Sequence, residues 1–408
     1  MWSQELSEAR PRRPNGERCP PMKILHVCHE PLPSPHTNAE QTVMTAAALA
    51  ANGAQLDLLC PVPSDRQPSG WERIAAFYGI REAAGRGLRL IELPGPRWYR
   101  GSALRPWLDI TAARFGRDEG YDFHLVRDPL AVVAALSAGR RAVFDSYRYD
   151  LHSDLRYLPW RTYCYRHGLL AGFITHSAMA RQALLDAGVA TERTLVAHNG
   201  IDPRLLEPRL SKADARRQLG LPQDRSTVVY TGRVGRDKGT DGILLLAREL
   251  PEVEFLIVGH IPGSHPASHL SHRTSALGLA NLRLIPRVPP SSLAPYLYAA
   301  DCLIIPPLTA PLHEHKRTVL PTKVYLYMGA GRPILAPRTP DVAEVLQDGH
   351  NALLVPPDNI RAATEELRRL LADDTLQKEL AANAVIESRN YTWARRAQRI
   401  IEFLLGRV

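Results

Sequence analysis

The chain has 408 residues, 45% of them apolar and 23% charged, with a formal net charge of +9. That length allows two or three domains with full cores, and the composition excludes a disordered or collagen-like chain. The 51 lysines and arginines are spread without a dense block, which argues against a nucleic-acid arm, and no run is long and apolar enough for a membrane-spanning helix.

Residues 1–21, "MWSQELSEARPRRPNGERCPP", are polar and proline-rich and lack the apolar stretch of a signal peptide, so they read as a flexible extension outside the fold. The cysteines, Cys19, Cys28, Cys60, Cys164 and Cys302, form no CxxC pair and read as reduced thiols of a cytoplasmic protein. From Met22 the chain alternates aliphatic runs with amphipathic ones. "KILHVCH" predicts a buried strand, and a helix follows from about Glu40 to Asn52, stopped by Gly53. "AQLDLLCP", "LRLIEL", "FHLVRD", "AVFDSY", "AGFITHS" and "TLVAHNG" predict the next strands.

The pattern then restarts with "STVVYTG", "VEFLIVGH", "LRLIPRV", "CLIIPP", "RPILAP" and "ALLVPP". Strand and helix in alternation predict α/β architecture with two doubly wound parallel sheets. The boundary is expected near 203–212, in a polar segment that carries prolines. The expected division is 22–205 for an N-terminal Rossmann-like domain, 206–385 for a C-terminal one, and 386–408 for an amphipathic helix that crosses back to the first.

One loop stands out chemically. "YTGRVGRDKGTDG" places Gly232, Arg233 and Lys238 between a strand and a helix expected to begin near Thr240. Free backbone N–H groups at a helix start attract anions, Arg233 supplies a planar fork, and Lys238 a mobile point charge. Such a loop suits a diphosphate whose charge grows as a bond breaks. Alone it is equally a solvated loop with glycine turns.

Three further fragments, "AHNGID" (197–202), "LIVGH" and "DVAEVLQDGHNALLVPPDN", lie in order around it. Together with the loop they resemble the family-four glycosyltransferases of the GT-B fold. The resemblance runs from Met22 to the C-terminus and is stronger in the second half. It implies two Rossmann-like domains and retaining transfer of a sugar from a nucleotide-sugar donor to a glycan or lipid-linked acceptor. It also implies that Arg233 and Lys238, with Gly232, hold the donor diphosphate. The sequence has no Asp-x-Asp, and the family usually works without a metal, so no metal and no cofactor are expected. Asn199, inside "AHNGID", is assigned to the donor cleft.

The resemblance fails at one element. A glutamate pair eight residues apart normally precedes "G.Pv", and its second member holds the ribose. Here those positions are Thr318 and Leu326, so donor binding differs or activity is lost, and a degenerate binder without turnover is the competing reading. Lys323 reads either as a phosphate ligand or as a solvated cation near a helix start. Glu314 is a candidate substitute acid or a plain polar loop residue. In the first half, Asn38 reads as a helix cap ahead of a sugar ligand, and Tyr147 stands near where the family carries a cleft histidine. His152 lies five residues on.

Two histidine groups, His265/His269/His272 and His313/His315, read as solvated helix and loop residues ahead of a metal site. "RWYRGSALRPWL" interleaves Arg97, Trp98, Arg100, Arg105 and Trp107. Such a stretch packs between helices, lines a sugar-binding loop or sits at a lipid surface; with the net charge, any membrane contact is expected to be peripheral and electrostatic, at an anionic face.

Overall fold

The computed structural model describes residues 21–80, 87–95, 104–115, 119–146, 150–309 and 320–407. The chain forms two units, and both are α/β. The first comprises the residues up to His176, Ala180–His198 and Trp393 onward; the second comprises Ser177–Met179 and Asn199–Thr392.

The first unit is built on a seven-stranded parallel sheet. Its strands are β1 (Lys23–Val27), β2 (Gln55–Val62), β3 (Leu88–Pro94), β4 (Phe123–Val126), β5 (Ala142–Ser146), β6 (Leu170–Thr175) and β7 (Thr194–Val196). Their order is β3-β2-β1-β4-β5-β6-β7. Alternate residues of one strand feed opposite faces, as a pleated strand requires. Ile24, Leu56 and Leu58 enter a core shared with helix Thr37–Ala51 and helix Trp393–Leu405. Leu25, Val27 and Leu59 enter the core on the other face, with helices Leu104–Phe115, Pro129–Ser137 and Leu158–Arg166.

The second unit has six parallel strands: β8 (Thr227–Thr231), β9 (Glu254–His260), β10 (Leu282–Pro286), β11 (Cys302–Ile304), β12 (Ile334–Pro337) and β13 (Leu353–Val355). Their order is β10-β9-β8-β11-β12-β13. Val229, Leu256 and Leu303 pack on one face, and Val228, Tyr230, Phe255 and Ile257 on the other. Burial on both faces explains why these strands read as near-continuous aliphatic runs.

Chain order reverses between β1 and β4, and again between β8 and β11. In open α/β sheets, ligands bind at such reversals, outside the carboxyl ends of the strands.

The passage from one unit to the other lies at His198/Asn199 and the return at Trp393, against an expected boundary near 203–212 and an expected final segment from 386. Ile201 is the reason. Its N–H donates to the Tyr391 carbonyl at 2.9 Å and it bridges Thr392, so "NGI" is already bound into the second unit.

Candidate functional site

The loop that follows β8 sits at the reversal point of the second sheet. After Gly232 the chain makes one 3-10 turn, Arg236–Lys238, and enters helix Asp241–Glu249. Gly239 closes that turn at φ +65, and a Cβ there would lie 2.1 Å from the Leu308 carbonyl oxygen. Only glycine fits both constraints. Thr240 ties the loop on itself, its hydroxyl donating to the Gly235 carbonyl at 3.2 Å. The Tyr230 hydroxyl donates to the Arg233 carbonyl at 2.8 Å, and the Thr231 N–H donates to the Tyr327 hydroxyl at 2.8 Å. The backbone that carries the cations is therefore fixed from beneath.

The loop carries Arg233, Arg236 and Lys238, and a fourth cation, Lys323, reaches it from a separate helix. Arg233 and Lys238 are about half exposed, and Asp237 is the acid that faces them: it pairs with Arg233 and lies 3.9 Å from the Lys238 ammonium. Lys323 opens helix Lys323–Ala330 and lays its Nζ over the Tyr230 ring, 3.8 Å from the centroid. A Cβ at Gly232 would meet that Nζ at 2.8 Å, so this glycine makes room for the lysine. Lys323 is only half-buried as a residue, yet its ammonium end is enclosed. Burial, with the Lys238 and Arg233 charges added to it, holds that ammonium well below the usual lysine range. A cation kept in such surroundings is stabilised by an anion.

The remaining candidates fall into three groups. Glu314, Thr318 and Tyr147 lie outside the described residues, as do His313 and His315. Leu326 is half-buried against the apolar core of the second unit and offers no polar group. Asn199 is buried at the passage between units.

In the first unit, Asn38 is not the cap. Helix Thr37–Ala51 is preceded by His36 in the capping position, without a side-chain bond. Asn38 therefore lies inside the first turn, and its buried Oδ1 has no hydrogen-bond partner. The helix begins three residues earlier than the apolar pattern suggested. His152 is committed elsewhere, held by the Ser146 hydroxyl at 2.7 Å and the Tyr165 hydroxyl at 2.6 Å. His265, His269 and His272 lie on helix His265–Ala276, which Ser264 caps through the Ala267 N–H at 3.4 Å. No group of three metal-ligating side chains occurs among the described residues.

Sequence reading gave no hint of a pocket of about 300 Å³ at the carboxyl ends of β1, β2 and β3. Pro31, Pro33, Pro61 and Pro63 wall it, and Arg66 and Arg73 stand at it. Glu92, also at the pocket, is occupied by the backbone N–H groups of Ser69 and Gly70, at 2.7 and 3.0 Å.

Two doubly wound parallel sheets in series, with a loop site at the reversal of the second, define the GT-B class. Solved structures agree on the fold. Sucrose-phosphate synthase from Thermosynechococcus elongatus aligns with a TM-score of 0.76 at 19% identity, covering 94% of this chain and 98% of that one. The Anabaena HepE protein in complex with UDP-glucose aligns with a TM-score of 0.71 at 18% identity, covering 94% and 100%. Two family profiles then account for nearly all of the described fold: Glycosyltransferase Family 4 over residues 39–205 and Glycosyl transferases group 1 over 211–386. The chain belongs to the family-four-like glycosyltransferases of the GT-B fold. Among its relatives, the D-inositol 3-phosphate glycosyltransferase of Nocardioides sp. is 27% identical over 227 residues, 52% of this chain and 48% of the relative. That of Streptomyces bingchenggensis is 27% identical over 221 residues, 52% of this chain and 47% of the relative. The chain thus spans about half the length of the curated relatives it matches.

Proposed function

We propose that this protein transfers a sugar from a nucleotide-sugar donor to a glycan or lipid-linked acceptor, with retention of configuration. The observation that carries this reading is a glycine loop that bears Arg233 and Lys238, with Asp237 as the acid facing both, and the Lys323 ammonium brought against the same loop from its own helix. The donor diphosphate displaces Asp237 from Arg233 and takes the guanidinium fork on its oxygens. Lys238 and the enclosed Lys323 ammonium complete its neutralisation. As the bond from sugar to phosphate breaks, charge grows on the leaving diphosphate, and fixed cations lower that barrier more than they stabilise the bound donor. In this reading they carry the load a divalent metal carries elsewhere, so turnover survives a chelator. Retention follows if the acceptor attacks from the face the diphosphate leaves, with a donor phosphate oxygen taking the acceptor proton.

The anchor for the donor ribose differs from the family pattern. Leu326 leaves it to other groups, with Asn199 a candidate. On the acceptor side, Asn38 offers its unpartnered Oδ1, and the proline-walled pocket offers two arginines that make no ion pair among the described residues. Relatives named for D-inositol 3-phosphate suggest that the acceptor carries an anionic group, and Arg66 and Arg73 suit one. A lipid-linked acceptor would bring the protein to the inner face of the membrane as a peripheral visitor; among the described residues no helix is long and apolar enough to cross one.

A panel of UDP-, GDP- and ADP-sugars, scored by nucleoside diphosphate release with and without EDTA, tests the reading. Leu326 favours one competitor, a member that binds nucleotide without turnover. Tight diphosphate binding with no release from any donor would establish that competitor instead.

A further inference from the structure

The largest exposed apolar side chains of the described residues are Ile110, Leu130, Leu155, Leu158, Tyr163, Ile261 and Ile386. Five of these seven fall on one helical layer of the first unit. Leu155 is 76% exposed, Leu130 54%, and Ile110 and Leu158 50% each. The layer is continuous. Trp160 in helix Leu158–Arg166 donates its Nε1–H to the Pro129 carbonyl at 2.9 Å, next to Leu130. Tyr163 meets Ser137 at the other end of helix Pro129–Ser137, hydroxyl to hydroxyl at 3.3 Å. Arg105, at the start of helix Leu104–Phe115, comes within 4.0 Å of Asp128, which caps helix Pro129–Ser137. A soluble surface scatters its large apolar residues singly. Four aliphatic side chains and a tyrosine on adjoining helices are a different pattern.

Charge narrows the occupant. The three helices and the turn Leu155–Tyr157 carry Arg105, Arg114, Arg156, Arg161 and Arg166 and one acid, Asp109, which is buried against His29. The acids that border the layer, Asp128 and Asp154, cap its helices and also face two of its own arginines, Arg105 at 4.0 Å and Arg156 at 2.7 Å, which leaves Arg114, Arg161 and Arg166 with no carboxylate partner among the described residues. Exposed leucines among arginines with no solvent-facing acid on the helices match an interface of hydrocarbon beneath anionic headgroups. Half-buried Trp107 and Trp160 supply the amphipathic rings that such an interface favours. A second copy of this chain would present the same arginines and repel.

We propose that this layer, built on helices Leu104–Phe115, Pro129–Ser137 and Leu158–Arg166, is the surface by which the protein seats on an anionic lipid bilayer. Leu155, Leu158, Leu130 and Ile110 immerse, and the arginines pair with lipid phosphates. This rests on the peripheral, lipid-linked reading above, but it does not depend on the transfer reaction.

The test is flotation of the full chain with phosphatidylcholine vesicles, with and without phosphatidylglycerol, at low and high salt. Three variants accompany it: Leu155→Ser/Leu158→Ser, Arg156→Glu/Arg166→Glu, and Ile386→Ser as an exposed apolar control in the second unit. The parent and the control should float with anionic vesicles at low salt and less at high salt. Each paired variant should lose about tenfold or more in vesicle affinity, since removing buried apolar area or phosphate contacts each acts on that scale. Melting curves and nucleoside diphosphate binding, read on the same samples, should match the parent. Equal flotation of parent and Leu155→Ser/Leu158→Ser overturns the proposal. So does concentration-dependent self-association that this variant abolishes, which would make the layer a contact between copies. Failure of the parent to bind any diphosphate would sink the transfer reading and leave the lipid surface standing.

Discussion

Arg396 and Asp145 stand 251 residues apart in sequence and pair inside the first unit, the guanidinium Nη2 lying 3.0 Å from both carboxylate oxygens. Arg127 approaches the same carboxylate at 3.4 Å, and Arg396 also donates to the Ala197 carbonyl. Burial alone would raise the Asp145 carboxyl, but the two arginines outweigh it and keep it below the usual range. Helix Trp393–Leu405 is thus held to the first sheet by a buried ion cluster as well as by its apolar stripe. Removing one partner of a buried pair leaves a desolvated charge, at a cost of about 3–5 kcal/mol. Arg396→Ala should lower the melting temperature sharply. An unchanged melt would show that Arg127 alone satisfies Asp145.

His26 adjoins that cluster, and its two ring nitrogens are buried without hydrogen-bond partners. Burial, reinforced by Arg127, Arg396 and His29 against the pull of Asp145, lowers its pKa from 6.5 to about 3. Between those values the unfolded chain binds a proton that the folded chain refuses. Stability contributed by the neutral imidazole is therefore full above about pH 6.5 and falls as pH drops toward 3, by at most about 1.4 kcal/mol per pH unit. His26→Gln should flatten the stability curve across that window in denaturant titrations. Identical slopes for the two proteins would count against this account.

The cation loop makes a sharper prediction about binding. Arg233→Ala and Lys238→Ala should each reduce kcat/KM by about tenfold to several hundredfold, since a charge-assisted bond contributes about 1.5–3 kcal/mol and more as charge grows. Melting should barely move, because both side chains are half exposed. Asp237→Asn should act in the opposite sense on nucleoside diphosphate affinity, because it releases Arg233 from its ion pair. Calorimetry on the three variants reads all of this. Unchanged affinity in Arg233→Ala would remove the loop from the donor site.

Lys323 gives that site a proton signature. Its ammonium is disfavoured by burial and by Lys238 and Arg233, and an arriving diphosphate reverses the balance. Binding should then draw a proton from solvent, so the apparent enthalpy should vary with the ionisation enthalpy of the buffer. Affinity should weaken as pH rises and the free protein's lysine is increasingly neutral. Lys323→Met should remove the buffer dependence while keeping the Tyr230 packing. A parent protein whose binding enthalpy is the same in phosphate and Tris would contradict proton uptake.

Gly239 tests the backbone itself. Its φ of +65 and the 2.1 Å approach to the Leu308 carbonyl leave no space for a methyl group. Gly239→Ala should displace the Arg236–Lys238 turn and weaken diphosphate binding at least as much as Lys238→Ala does, with a lower melting point as well. Wild-type binding by Gly239→Ala would mean that the loop tolerates another shape.

Much of this architecture was legible from pattern alone. The thirteen described strands coincide with the thirteen aliphatic runs, because parallel strands buried on both faces leave little room for polar residues. The Arg233–Lys238 loop announced itself through glycines between a strand and a helix. What escaped depends on contacts between distant residues. Nothing near Lys323 in sequence shows that its Nζ lies over Tyr230, 93 positions earlier by number, nor that Arg396 closes on Asp145. Asn38 was misplaced for a local reason: His36, with extended backbone, takes the capping position without using its side chain. Of the aromatic and arginine stretch at 97–107, Arg97, Trp98 and Arg100 lie outside the described residues, and Leu155, Leu130, Leu158 and Ile110, in stretches of unremarkable composition, carry the most exposed apolar surface of the first unit.

Because Trp393, Ala397, Ile400 and Leu404 belong to the same core as β1 and β2, the first unit cannot complete its interior as it leaves the ribosome. Its sheet emerges first and then waits for the whole of 199–392 to be made. Domains usually fold in the order of synthesis, and here the second unit has all of its sequence before the first does. Until the last helix arrives, the face of the first sheet shared with helix Thr37–Ala51 is only partly covered and the Asp145 carboxylate has Arg127 alone. The first unit therefore reaches its full core only after the last residues are made, although its strands are the earliest to be translated.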